Sequence, residues 1–343
     1  MTDRSRPAPL RAATLADVAR EAGVSPAAVS KVIRGAYGVS DGMRERVGAA
    51  IERLDYRPRT AARAMRGTTT TFGITVPQLG NEFLTTVVRG AVAALDGTGF
   101  DVILAPSEFG SSMHAVESLL DRQVAGIVAI APPSDPERLD RLARHVPLVQ
   151  LGGHEYSERF DTVAGDDRAG ARLVVDHLLG LGHRRIAHLT HAYAAEDEQR
   201  VDPHSLRLVT YAAEMRAAGA EPQVVQSEAS EESAHAAALR LLDGADRPTA
   251  IFAANDTLAL GVLRAVAERG LTAADVSVAG YDDIDIARHP LLDLTTVDQR
   301  GDEMGRTAAT MLLERLAGRT EPRRFRTDPR LRVRGTTRPA PAG

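Results

Sequence analysis

The chain has 343 residues, a formal net charge of −4, no cysteine and no tryptophan. Without cysteine there can be no disulfide, thiolate nucleophile or cysteine metal site, and no run approaches the ~20 consecutive apolar residues that cross a bilayer. Charge is uneven: residues 1–67 hold 13 Lys and Arg against 7 Asp and Glu, while the remainder hold 29 against 39. A basic head on an acidic body suits a phosphate-binding module joined to a domain that is not.

Residues 1–13, MTDRSRPAPLRAA, carry no apolar core of the kind a secretory signal needs. They are expected to be a disordered extension of a cytoplasmic, nucleoid-associated protein. Thr14 to Arg34 then reads TLADVAREAGVSPAAVSKVIR. Leu15, Val18, Ala19 and Ala22 recur at i, i+3, i+4 and i+7, one apolar face of a helix. Gly23 closes it in the left-handed conformation. Ser25 offers a hydroxyl to the orphan amides of a second helix, and Pro26 fits its first position, where no N–H is required. Val29, Val32 and Ile33 form the buried side of that helix, leaving Pro26, Ala27, Ala28, Ser30, Lys31 and Arg34 outward. This is a helix-turn-helix, whose second helix presents its N-terminal residues to base edges in the major groove. The plainer reading is a surface helical hairpin of an unrelated domain.

A third helix is expected from Asp41 to Leu54, started by Ser40 and packed through Val47, Ile51 and Leu54. The next segment, Tyr56 to Gly67 (YRPRTAARAMRG), has helix propensity but is too short to be helical alone. It would fold on a partner; the plainer alternative is a basic linker.

Thr14 to Gly67 resembles the DNA-binding headpiece and hinge helix of the lactose/galactose repressor (LacI/GalR) family. The pattern T-L-x-D-V-A-x-x-A-G-V-S-x-x-T-V-S-R-V-L-N-G is met nearly position by position. Departures are Ala28 for threonine, Lys31 for arginine, Ile33 for leucine and Arg34 for asparagine. Lys31 is the only lysine in the chain, and it lacks the bidentate fork with which arginine reads guanine. The resemblance implies a headpiece over 14–58, a hinge helix over 59–67 and a linker over 68–71. It implies DNA contacts from Thr14, Leu15, Ser25, Pro26, Ala27, Ala28, Ser30, Lys31, Arg34, Tyr56, Arg59, Ala62, Arg63, Met65 and Arg66. Met65 falls where the family carries a leucine wedge in the minor groove, and methionine is among the side chains used this way.

Beyond the linker, short apolar runs alternate with helices. FGITVP, FDVILAP, GIVAIAP and PLVQLGG form one series; RRIAHLTH, PQVVQSE, AIFAAND and VSVAGYDD form a second. LTTVDQ, a last helix and a strand near Arg330 to Arg334 follow. Such alternation predicts doubly wound parallel sheets in two lobes, with ligands beyond the carboxyl ends of the strands and the cleft between lobes as the default site. The second half also resembles the family, through HLLGLGHRRIA, PTAIFAANDTLALGVL, DVSVAGYDD and LTTVDQ. The implied fold is an all-α headpiece on a type I periplasmic-binding-protein-like α/β core over 72–338, with lobe 1 at about 72–167 and 300–327 and lobe 2 at about 168–299 and 328–338.

From the same resemblance, Arg207 (in RLVTY), Asn255 (AND), Asp282 (GYDD) and Gln299 (TTVDQ) line the ligand cleft, with Asp166 beside them and Phe83 as an apolar wall. Their groups can hydrogen-bond the hydroxyls of a polar ligand. Asn255 and Asp282 are equally the residue types that cap a following helix. Two departures stand out: Ala229 occupies a position where family members stack an aromatic, and Gly152 and Gly153 stand where an aspartate is frequent. His191 and Tyr193, in the long loop before His204, are candidates to replace what is missing. His188, His191, Asp166 and Asp167 suggest a metal only weakly, since His188 sits inside an apolar strand.

No G-x-G-x-x-G, G-x-x-x-x-G-K-[ST], G-x-S-x-G or H-E-x-x-H occurs, so catalysis is not indicated, and neither a metal nor a cofactor is expected. A pure solute receptor would have no use for Thr14 to Gly67. The resemblance implies a homodimeric regulator, more often a repressor, that binds a near-palindromic operator and answers to a small polar effector, a sugar or sugar derivative. A corepressor-dependent regulator or an activator responding to a nucleoside or other metabolite is the alternative. With no leucine heptad after the core, a tail-mediated tetramer is not expected.

Overall fold

The computed structural model describes residues 13–33, 36–56, 69–107, 112–130, 136–154, 157–191 and 202–341. The chain divides into two compact units, Met1–Thr69 and Thr70–Gly343.

In the first unit, α1 (Leu15–Ala22), α2 (Pro26–Ile33) and α3 (Asp41–Arg53) form a three-helix domain. Thr14 Oγ1 accepts from the Asp17 amide at 3.3 Å, and the Asp17 carboxylate accepts from the Thr14 amide at 2.9 Å. This capping box satisfies two orphan donors reciprocally, and it holds the Asp17 carboxyl down at about 2 through its bonds to Thr14. Gly23 ends α1 with φ +65°, where a Cβ would be strained. Ser25 Oγ accepts from the Ala28 amide at 3.2 Å to open α2. Ser40 precedes α3 as expected but makes no side-chain cap bond. Val18, Ala19, Ala22, Val29, Val47, Ala50 and Tyr56 make the small core, with Leu15, Val32, Ile33, Ile51 and Leu54 packed around it.

In the second unit, β1 (Thr71–Val76), α4 (Glu82–Leu95), β2 (Asp101–Pro106), α5 (Ser112–Asp121), β3 (Gly126–Ile130), α6 (Pro136–Leu142), β4 (Leu148–Leu151) and β5 (Asp161–Gly165) build lobe 1. Its six-stranded parallel sheet, in the order β11-β5-β4-β3-β1-β2, is completed by β11 (Arg324–Thr327) and covered by α11 (Gly301–Leu316). Helices α4 and α11 cross at glycines. A Cβ on Gly90 would lie 2.1 Å from the Asp302 carbonyl oxygen, and one on Gly305 would lie 1.8 Å from that of Val87.

Lobe 2 comprises α7 (Asp167–Gly180), β6 (Ile186–His191), α8 (Pro203–Ala217), β7 (Gln223–Ser227), α9 (Glu231–Leu242), β8 (Ala250–Ala253), α10 (Asp256–Glu268), β9 (Ser277–Ala279), β10 (Thr296–Asp298) and β12 (Arg330–Arg332). The sheet order is β7-β6-β8-β9, and bridges at Ala279–Thr295 and Asp282–Asp298 join it to the antiparallel pair β10-β12. The chain passes between lobes three times, after β5, after β10 and after β11.

Two strands go beyond the sequence expectation. β5 opens with Asp161 and Thr162, so it lacks an apolar run, yet it is buried throughout. Asp161 is tolerated there because Arg315 and Arg319 each donate two bonds at 2.7–3.0 Å and the Arg323 amide one at 2.7 Å. β11 (RFRT) is an edge strand whose arginines face out, as charged edges do. Among the described residues no helix is long and apolar enough to cross a membrane.

Candidate nucleic-acid interface and effector cleft

On α2, Pro26, Ala27 and Lys31 are exposed, Ala28 and Ser30 are half-buried, and Val29 is fully buried. The buried side ties the helix to the headpiece core, and the outward side is a short, nearly apolar surface ending in one cation. Ser25 and Thr14 spend their hydroxyls on helix capping. Tyr56, expected among the DNA contacts, is a core residue with 7% exposure, and Leu15 also packs against that core; both side chains act in folding the headpiece. Arg34, Arg59, Ala62, Arg63, Met65 and Arg66 lie outside the described residues, as does the cleft candidate Tyr193.

Between the lobes, the strand ends converge on Arg207. It enters from α8, which Pro203 starts and Asp202 caps through bonds from the His204 and Ser205 amides. Its Nε donates to Asp167 Oδ1 at 2.8 Å and one terminal nitrogen donates to the Ala254 carbonyl at 2.7 Å. Its second terminal nitrogen lies 2.8 Å from the same Asp167 oxygen. The Tyr281 ring covers its face, with 3.7 Å from guanidinium carbon to ring centroid. Burial works against the Arg207 charge, but Asp167, Tyr281 and Asp282 around it more than restore it.

Asp282 follows β9 with φ +124°, a strained backbone for a non-glycine residue. Its side chain does not cap the following turn; Oδ1 accepts from Gln299 Nε2. Gln299, just after β10, also has its carbonyl held by Thr327 Oγ1 at 3.0 Å. Burial pushes the Asp282 carboxyl up to about 7, against the pull of Arg207 and the Gln299 bond. Asp256, at the start of α10, is fully buried and raised by burial and by Asp282; it accepts from the Ile284 amide at 3.0 Å and from Thr296 Oγ1 at 2.5 Å.

Asn255 does cap, its Oδ1 accepting from the Leu258 amide at 2.9 Å, while its Nδ2 lies 3.4 Å from His191 Nε2. Asn255 is thus a buried cap whose amide meets the His191 ring. His191 is lowered to about 4 by burial and by Arg207, so it is a neutral ring near pH 7. Asp166 caps α7 through a bond from the Ala169 amide at 3.0 Å. Phe83 packs against the cores of both lobes and touches Gly301, where a Cβ would come within 2.8 Å of its ring. The Ala229 carbonyl accepts from Gln78 Nε2 of lobe 1 at 3.1 Å. His188 is fully buried on β6, between the rings of Tyr211 and Phe252, as a packed histidine.

Sequence reasoning missed Asp167, His154 and Tyr281 as members of this cluster. Asp167 adjoins the chosen Asp166, and Tyr281 stands inside the quoted GYDD, so both signals were at hand. His154 had none beyond following the two glycines. The set of guanidinium, amides, carboxyls and a neutral imidazole can donate to and accept from a polar ligand.

Comparison with known proteins identifies the family and the fold. Residues 14–59 match the family described as bacterial regulatory proteins, lacI family, and residues 175–337 match the periplasmic binding protein-like domain. The HTH-type transcriptional repressor PurR of Vibrio atlanticus is 30% identical over 334 residues, covering 95% of this chain and 99% of that protein. The HTH-type transcriptional regulator MalR of Streptomyces coelicolor is 35% identical over 338 residues, covering 95% and 97%. Among solved structures, a lac repressor dimer bound to operator and the anti-inducer ONPF is similar with TM-score 0.75 at 28% identity, covering 96% of this chain and 100% of that one. A complex of the transcriptional regulator CelR with cellobiose has TM-score 0.68 at 32% identity, covering 94% and 99%.

Proposed function

The chain belongs to the lacI family of bacterial regulatory proteins, and from that premise we propose a homodimeric, cytoplasmic repressor whose affinity for a near-palindromic operator is set by a small polyhydroxylated effector. A twofold dimer imposes twofold symmetry on its site. The observation that carries the DNA half is the outward face of α2, with Pro26, Ala27 and Lys31 exposed at the end of a capped turn. The effector half rests on the cluster of Arg207, Asn255, His191, Asp282 and Gln299 at the strand ends, with Asp166 and Phe83 at its margin and Tyr193 added from the sequence alone. A sugar or sugar derivative satisfies such a mixed set of donors and acceptors without introducing a charge.

From the sequence alone, coupling is assigned to residues 59–67, outside the described residues, as a segment that would fold on the minor groove with Met65 as the wedge. A ~100-fold change in operator affinity would require about 2.7 kcal/mol of coupling, within the ordinary allosteric range.

The deciding experiment is binding of the purified full chain to a library of genomic fragments at near-physiological salt, followed by sequencing of what is retained, because specific and non-specific binding separate only when salt is controlled. One enriched palindrome is the expected result. No enrichment, alone or with added sugars and nucleosides, would overturn the reading.

A further inference from the structure

Asp167 is 2% exposed, and its two oxygens are divided between the lobes. Oδ1 takes Arg207, which belongs to lobe 2. Oδ2 lies 3.0 Å from Nε2 of His154, which stands in the loop between β4 and β5 of lobe 1. A carboxylate only accepts, so the imidazole contributes its Nε2–H. That loop leaves β4 through Gly152 at φ +79°, with the Gly152 amide bonded to the Val163 carbonyl at 2.8 Å. Gly153 follows with the Gln150 amide against it, so close that a Cβ would lie 2.1 Å from Gln150 Nε2. Only then does the chain arrive at a side chain long enough to cross to α7.

We propose that His154 is a positioning residue: it fixes Asp167 from lobe 1, and Asp167 in turn sets the plane in which Arg207 meets the effector. The inference deepens the effector reading above and rests on it. Arg207 has little freedom of its own, since Asp167, the Ala254 carbonyl and the Tyr281 ring hold three of its sides. Asp167 thus ties Arg207 to lobe 1 directly, whereas Gln299, which also spans the lobes through Asp282 and Thr327, does not touch Arg207. A rotation of lobe 1 that carries the β4–β5 loop away from α7 breaks the His154 bond while leaving Arg207 bound. The buried carboxylate then loses a donor, which carries a desolvation cost, so the angle between lobes and the presentation of Arg207 change together.

The test uses the full chain, whose lack of native cysteine allows spin labels at Asp121→Cys in lobe 1 and Glu221→Cys in lobe 2, both exposed positions. Interlobe distance distributions and operator affinity are compared for the labelled parent, His154→Phe and His154→Gln. Phenylalanine keeps the bulk and removes the donor; glutamine restores an amide donor. The expected result is a shifted or broadened distribution and an operator affinity changed at least about fivefold for the Phe variant, the lower end of ordinary coupling, with parental behaviour for the Gln variant. His154→Leu, a smaller apolar side chain that likewise lacks a donor for Asp167, should reproduce the Phe variant's distances and decides the matter if the latter does not fold. Parental distances in both the Phe and Leu variants, or equal loss in the Gln and Phe variants, would overturn the proposal. The distances do not depend on the operator, so a failed positioning role and a failed regulator reading are seen separately.

Discussion

The guanidinium of Arg207 sits 3.7 Å from the centre of the Tyr281 ring, and the ring is seated there because residue 170 is glycine. A Cβ at Gly170 would lie 2.0 Å from the Tyr281 hydroxyl oxygen. Gly170→Ala should therefore push the ring off Arg207, at about 1–3 kcal/mol for overpacking. Tyr281→Leu should lose a desolvated cation–π contact of about 2 kcal/mol. Because the two share one contact, the double variant should cost less than the sum. Urea unfolding of the four proteins measures this, and strict additivity would refute the link.

Two buried titrations should oppose one another. His188 is lowered to about 3 by burial, with its Nδ1–H donated to the Phe252 carbonyl at 2.9 Å. The unfolded chain takes that proton near pH 6.5 and the folded one resists, so this stability is present above about pH 6.5 and is lost as pH falls, by about 1.4 kcal/mol per pH unit. Asp282, raised to about 7 from 3.8, behaves in the opposite sense: its stability is present below pH 3.8 and is lost as pH rises through about 7. His188→Leu should weaken the acid-side loss, and Asp282→Asn should steepen it. Thermal midpoints between about pH 4 and 8 provide the comparison, and parallel profiles for the two variants would contradict the assignment.

The crossing of α4 and α11 leaves no room for a methyl group at Gly305, where a Cβ would stand 1.8 Å from the Val87 carbonyl oxygen. Backbone, unlike the end of a side chain, cannot swing away. Gly305→Ala should cost at least the upper part of the usual 1–3 kcal/mol range for overpacking, read by chemical denaturation. Gly219→Ala is a useful contrast, because there nothing lies within 4 Å but φ is +71°, so only backbone strain is added.

In the headpiece, Thr14→Ala removes the hydroxyl half of the capping box and should cost about 1 kcal/mol of stability. Lys31→Ala should lower operator affinity by about 1–3 kcal/mol and relax preference at one base position, whereas a phosphate contact would weaken all sequences alike. Lys31→Arg keeps the charge and regains the bidentate fork. Fluorescence anisotropy on a selected operator and its single-base variants measures both effects.

Much of the architecture was legible because its determinants are local. Thr14, Gly23, Ser25 and Pro26 act within one helical turn, so the bounds of α1 and α2 follow from residue type alone. Continuous runs such as GIVAIAP read directly as strands buried on both faces. β5 was missed because Asp161 interrupts the apolar pattern, and only arginines from α11 and the turn after it make that burial tolerable.

The cleft divides the same way. Sequence alone carried the family resemblance, the division into a helical headpiece and an α/β core, and the motifs that hold Arg207, Asn255, Asp282 and Gln299, since each motif is contiguous. It left Asn255 and Asp282 equivalent, two polar residues ahead of a helical turn. Tertiary structure separated them: Asn255 caps its helix, whereas Asp282 is turned to φ +124° and bonded to Gln299. It also supplied Asp167 and His154. A hydrogen bond between positions 40 or 47 residues apart, as from Arg207 to Asp167 and to Ala254, exists only after two strands and their helices have packed. No local propensity encodes it, because the cost of bringing those groups together is met by burial of the surrounding core rather than by the residues that bond.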